Sequence, residues 1–145
     1  MTQLKETYLE FWAQLETFIG NKGLDWQLAT PKGHNDSNVK IGSSKYRICL
    51  TLNSISSKNF HSFLSASFWI PNSKETFELL KSKKVEIEAE MEKSLIWDDK
   101  PGKKASSIWI TAPIDFSNKK NWPQAFEWFA NNAPRISNAC NKHLA

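Results

Sequence analysis

The sequence predicts an α+β domain, an antiparallel sheet of about five strands with helices packed on it, in the order α-β(β)ββ-α-ββ-α. Three observations predict it. Segments near both ends carry apolar residues at three- and four-residue spacing, the period of an amphipathic helix. The middle of the chain alternates apolar and polar residues, the period of a strand with one buried face. The links between alternating segments are short and rich in Gly, Pro, Asn and Ser, which suits antiparallel hairpins.

Taken in order, Leu4, Tyr8, Phe11, Trp12, Leu15, Phe18 and Ile19 form one stripe and predict a helix over residues 2–22, with Gly20 and Gly23 as stop signals. Residues 24–28 alternate briefly and read as an edge strand. Residues 29–37 read as a loop by their Pro31, Gly33, Asn35 and Asp36. Residues 39–41 and 46–52 flank Gly42, Ser43 and Ser44 and read as a hairpin. In its second arm Ile48, Leu50 and Leu52 alternate with Arg47, Cys49 and Thr51, and Cys49 is expected to pack as a small hydrophobe. After a polar turn over residues 53–59, residues 63–70 form a strand that Pro71 ends. Leu64, Ala66, Phe68 and Ile70 lie opposite Phe63, Ser65, Ser67 and Trp69.

Asn72 and Glu75 suggest a capping-box start to one long helix over residues 73–93, with Phe77, Leu80, Ile87 and Met91 on its apolar face. Two more strands, residues 95–97 and 108–111, flank a turn over residues 98–104. Asn121 as cap and Pro123 in the first turn open a last helix. Its stripe is Trp122, Phe126, Phe129, Ala133, Ile136 and Cys140, and Pro134 is expected to kink or split it.

With 145 residues the chain reads as a single domain, 1–145, large enough to bury a core without staples. Seven Trp and nine Phe are too many large apolar side chains for a disordered chain. Cys49 and Cys140 have no metal or redox spacing, which favours a reducing cytoplasm over a disulfide scaffold. No secretory leader is visible, and no apolar run reaches the roughly 20 residues needed to span a bilayer. The expectation is a cytoplasmic protein without a membrane partner. Net charge is +4, yet Arg47 and Arg135 are the only arginines. Bidentate base reading relies on Arg, so loose phosphate attraction is the more natural use of this charge.

Catalytic motifs are wanting. His34, His61 and His143 lack partners at ligand spacing and read as solvated. Asp98-Asp99-Lys100 and Glu90-Met91-Glu92-Lys93 match the acid-x-Lys half of a PD-(D/E)xK nuclease, but one is a turn and the other a helix. There is no Gly-x-Ser-x-Gly elbow and no Gly-rich phosphate loop. The reading is therefore non-enzymatic, with no catalytic residue, metal or cofactor. Convergence of distant acids such as Asp36, Asp98, Asp99 and Asp115 is the remaining enzymatic route, and nothing in their spacing favours it.

Two features look site-like. Lys100, Lys103 and Lys104 surround Pro101 and Gly102 on a predicted hairpin, and Lys119 and Lys120 add charge to that half. Together they are candidates for nucleic-acid phosphates, against the plainer reading of a soluble turn that protects a strand edge. Trp69, Trp109 and Trp128 fall on the second faces of their elements. With Phe63 they could form a patch for stacking nucleobases or for a protein interface. The plainer reading there is that helices cover both faces of the sheet.

Several segments line up with one family. Tyr8-x-x-Phe11-Trp12, the stretch from Ile41 to Ile48 followed by Asn53, and Trp69-Ile70-Pro71-Asn72 each resemble parts of the bacterial and archaeal domain of unknown function 4268. The closest matches are Trp97-x-x-x-Pro101-Gly102-Lys103-Lys104-Ala105-Ser106 and Trp122-Pro123-x-x-Phe126-x-Trp128. The resemblance spans nearly the whole chain in order. It implies a domain often found C-terminal to restriction-endonuclease-like nucleases, hence an accessory role near DNA processing or defence. It carries over no catalytic residue. Pro134 departs from the continuous last helix of the relatives. The leading expectation is a nucleic-acid-associated accessory domain whose partner is nucleic acid or a nuclease subunit. The alternative is a protein-interaction or homodimerisation module.

Overall fold

The computed structural model describes residues 2–24, 26–40, 46–53 and 62–144, apart from the side chains of residues 2–4, 27 and 40. Helix α1 (Thr2–Asn21) turns Phe11, Trp12, Leu15 and Ile19 into the core. It ends where the periodicity stops. Gly23 takes φ +70°, the Gly23 N–H donates to Gly20 O and the Leu24 N–H to Ile19 O, so a Schellman motif satisfies the last carbonyls.

Six strands among the described residues form one antiparallel sheet: β1 (Gln27–Leu28), β2 (Asp36–Lys40), β3 (Arg47–Asn53), β4 (Phe63–Ile70), β5 (Ile96–Asp98) and β6 (Ser106–Ala112), in the spatial order β1-β2-β3-β4-β6-β5. After β4 the chain crosses on the helical side through α2 (Lys74–Ser82) and α3 (Lys84–Met91). It reaches the far edge as β5, and β6 then folds back into the gap. A 3-10 turn (Lys119–Asn121) leads into α4 (Trp122–Asn141).

The alternation read from the sequence decides which side chains enter the core. Ile48, Leu50 and Leu52, then Leu64, Ala66, Phe68 and Ile70, then Ile108 and Ile110 are buried with Phe77, Leu80, Ile87 and Met91 and with the α1 and α4 stripes in one continuous core. Phe11 is its aromatic hub, with ring centroids 5.0–6.1 Å from those of Trp12, Trp122, Phe126 and Phe129. The described helices pack on that one face. The other face, carrying Arg47, Cys49, Thr51, Ser67, Trp69 and Trp109, is covered by no helix among the described residues.

Several expectations are corrected. Strand β2 begins at Asp36, inside the expected loop, because Asp36 pairs with Thr51 and Ser37 with Leu50. The long helix is two helices. Its cap is Ser73, whose Oγ accepts the Thr76 N–H at 3.1 Å. The break at Lys83 falls in Lys81-Ser82-Lys83-Lys84, a stretch with no apolar anchor to hold one straight axis. Helix α4 runs unsplit through Pro134, because Ala130, Ala133, Ile136 and Cys140 anchor both flanking turns in the core. Asn121 makes no capping bond. Its amide donates to Asp115 O, while Asn118 caps the preceding 3-10 turn. Cys49 lies on the uncovered face, and Cys140 is the buried thiol. The Gly42–Ser44 turn, the turn over residues 54–59 and His61 lie outside the described residues.

Candidate binding face on the open sheet

Antiparallel register lines up residues from different strands in rows across the open face. One row is Arg47, Trp69, Ser107 and Asp98, and the next is Asn38, Cys49, Ser67, Trp109 and Ile96. Trp69 and Trp109 are diagonal neighbours on β4 and β6, about 7–8 Å apart along the sheet. Both are partly exposed, and both line a shallow depression of about 220 Å³. Its floor is polar and small, made of Thr51, Ser67 and Ser107, with Asn53 Nδ2 donating to Ser65 Oγ at 3.0 Å. Small residues thus lie between the two tryptophans.

The turn between β5 and β6 forms one rim. Lys100 takes φ +52° and Gly102 φ +82°, and the Lys103 N–H closes the turn on Lys100 O at 3.0 Å. Asp98 Oδ1 accepts the Lys100 N–H at 3.2 Å, an Asx turn that suits the left-handed residue. Lys74, at the start of α2, reaches across to this turn. Its ammonium donates to Ala105 O at 2.8 Å, to Lys100 O at 3.3 Å and to Asp99 O, and it pairs with the Asp99 carboxylate at 3.1 Å. On the other side of β5, Glu88 of α3 accepts the Leu95 N–H at 2.8 Å and the Trp97 indole N–H at 3.1 Å. These bonds, the Leu95 one foremost, hold its carboxyl below the usual range.

The Lys100 ammonium lies 2.9 Å from Asp98 Oδ2 and 5.6 Å from the Trp69 ring centroid. Its hydrogen bond and its charge keep the Asp98 carboxyl low. Lys103 and Lys104 are exposed on the same turn. Lys119 and Lys120 are elsewhere. They precede α4 at the opposite end of β6, about 20 Å of strand away, and Lys119 is paired with Glu10 of α1 at 2.8 Å. Trp128 is also apart. It lies on α4, edge-on to Phe129 with ring centroids 5.4 Å apart, and packs on the core. Two of the three tryptophans and three of the five lysines thus share the open face and its rim.

Among the described residues nothing gathers for metal chemistry. No group of three or more His, Cys, Asp or Glu is placed to hold an ion among the described residues. Asp36 and Asp98 both face the open side but stand on β2 and β5, four strand spacings or about 19 Å apart across the sheet and offset further along it. Asp99 is taken by Lys74. Burial pushes the Cys49 thiol up, although it borders the depression, and burial raises that of Cys140 to about 12. A second hollow, about 370 Å³, lies between the end of α1 and β1. Ile19, Leu24, Trp26 and Leu28 line it, with Glu16 the one charge on its wall among the described residues.

Two contributors escaped sequence reasoning. Arg47 stands directly opposite Trp69, a placement that needs the register as well as the alternation. Lys74 meets a turn 25 or more residues away, with no local signal of it. No described helix is long and apolar enough to cross a membrane. Among known proteins, no curated protein and no solved structure matches the chain. A family model does match, over residues 7–144, and the chain belongs to that family, Domain of unknown function (DUF4268).

Proposed function

We propose that this domain is a non-catalytic accessory module that binds single-stranded nucleic acid across the open face of its sheet. The observation that carries the reading is the pairing of Trp69 and Trp109 on an uncovered face whose near neighbours are Arg47 and Lys100. Bases stack on the two indoles, a contact that every base can make. Arg47, Lys100, Lys103 and Lys104 hold the phosphates by charge, so binding is salt-dependent and indifferent to sequence. An association with a nuclease that generates or processes such strands belongs to the same proposal.

The test is anisotropy of a labelled oligothymidylate with the wild type, Trp69→Ala/Trp109→Ala, and Lys103→Glu/Lys104→Glu. Stacking is worth about 1–3 kcal/mol per base, so the tryptophan variant should bind roughly 30-fold weaker or worse. The charge reversal should weaken binding and flatten its salt dependence. Equal affinity for all three would overturn the reading.

One observation favours a protein partner instead. Ile96, an exposed large apolar residue, faces Trp109 across β5 and β6, so part of the face is apolar to its edge. Concentration-dependent dimerisation that the tryptophan variant abolishes, with no oligonucleotide binding, would establish that alternative.

A further inference from the structure

Lys100 stands between two groups on the open face. Its backbone is fixed by the Asp98 side chain at its N–H and by Lys74 at its carbonyl, so only its flexible stem can move. At the end of that stem the ammonium rests on Asp98 Oδ2 and lies across Trp69, the ring a base would occupy. We propose that Asp98 is a positioning residue that holds Lys100 over Trp69, so that a ligand gains the ring only by offering a phosphate that takes the ammonium in exchange. The inference rests on the nucleic-acid reading above and deepens it. The class of ligand is then a phosphodiester chain whose base and phosphate arrive together.

The exchange follows from charge and geometry. A base alone meets an ammonium that is already satisfied by a carboxylate and by the indole face. A base with a neighbouring phosphate replaces the carboxylate with another anion, so the ammonium swings off the ring at little electrostatic loss. Asp98 is then left without its partner beside a polyanion. It takes up a counterion, which subtracts from the counterions that the nucleic acid releases. Asp98 therefore weakens binding and lowers its salt dependence, and it does both through Lys100.

The experiment is a cycle of four full-length proteins, the wild type, Asp98→Asn, Lys100→Ala and the double variant, titrated with labelled oligothymidylate at several salt concentrations. Asn keeps an acceptor for the Lys100 N–H, so the turn is retained. Asp98→Asn should bind about threefold tighter, as expected for releasing a partly exposed ion pair. Its slope of log affinity against log salt should steepen by about 0.7. Both gains should vanish when Lys100 is already Ala. A gain that persists in the Lys100→Ala background would overturn the proposal, because Asp98 would then act by simple repulsion. Wild-type binding that Asp98→Asn leaves unchanged would overturn it too, with the nucleic-acid reading intact. No binding by any of the four at low salt would remove that reading and this inference with it.

Discussion

Replacing Lys74 with Met tests whether the β5–β6 turn is held from outside or by its own backbone. The Lys74 ammonium meets Ala105 O at 2.8 Å, Lys100 O at 3.3 Å, Asp99 O and the Asp99 carboxylate at 3.1 Å. Hydrogen bonds to a charged group contribute about 1.5–3 kcal/mol when shielded. Here the Lys74 side chain is 38% exposed, and solvent screening brings the net loss to about 1–2 kcal/mol. Met keeps an unbranched apolar stem and deletes the ammonium. For a domain of this size the loss corresponds to about 3–7 °C in Tm. Thermal denaturation reads that shift, and amide exchange at Lys103, whose N–H closes the turn, reads where it originates. A Tm within about 1 °C of wild type with unchanged protection at Lys103 would refute the reasoning. Left-handed Lys100 and Gly102 would then hold the turn by themselves.

Other consequences are as direct. Glu92 ends α3 in the left-handed region at φ +59°, with its side chain 82% exposed, so Glu92→Gly should stabilise the fold by about 0.5–1 kcal/mol in urea denaturation. Phe11→Ala removes the aromatic hub and should cost about 3–5 kcal/mol by the same assay, enough to unfold a marginal domain. Glu88 has its carboxyl held low by the Leu95 and Trp97 donors, so its contribution is complete above the unfolded value of about 4.3 and is lost as pH falls through the folded one. Stability measured from pH 6 down to pH 3 should therefore fall less steeply for Glu88→Gln than for the wild type. Both thiols are raised by burial, so alkylation at pH 8 should be slow, with Cys49 modified first and Cys140 protected until unfolding.

What could be read from the sequence follows from the physics of each signal. Period-two alternation assigned every residue of β4 to its face, because one buried face is enough to impose it. It could not say that Arg47 would stand opposite Trp69, since pairing depends on register, which turns and packing settle together. Counting lysines put Lys119 and Lys120 with Lys100, Lys103 and Lys104. The intervening strand carries the two groups to opposite ends of the sheet. The break between α2 and α3 has no Gly or Pro to announce it, and Pro134 announces a break that core anchoring overrides. Trp128 matched Trp69 and Trp109 as an off-stripe tryptophan, but on a helix such a residue can still reach the core from the side.

The distribution of polarity on the sheet argues for the face, and against its edges, as the working surface. An exposed strand edge invites pairing with another chain, and short edge strands are one way proteins suppress it. Here the two edge strands have two and three residues, β1 and β5. The open face is hydrophilic where it needs only to be wet, as at Thr51 and Ser67. Against that background Trp69 and Trp109 hold large apolar rings partly in water, giving up burial that the helical side of the sheet offers. Two such exceptions side by side, bordered by a cation that is itself tethered, are what a stacking site with a charged rim requires and what a merely solvated sheet does not.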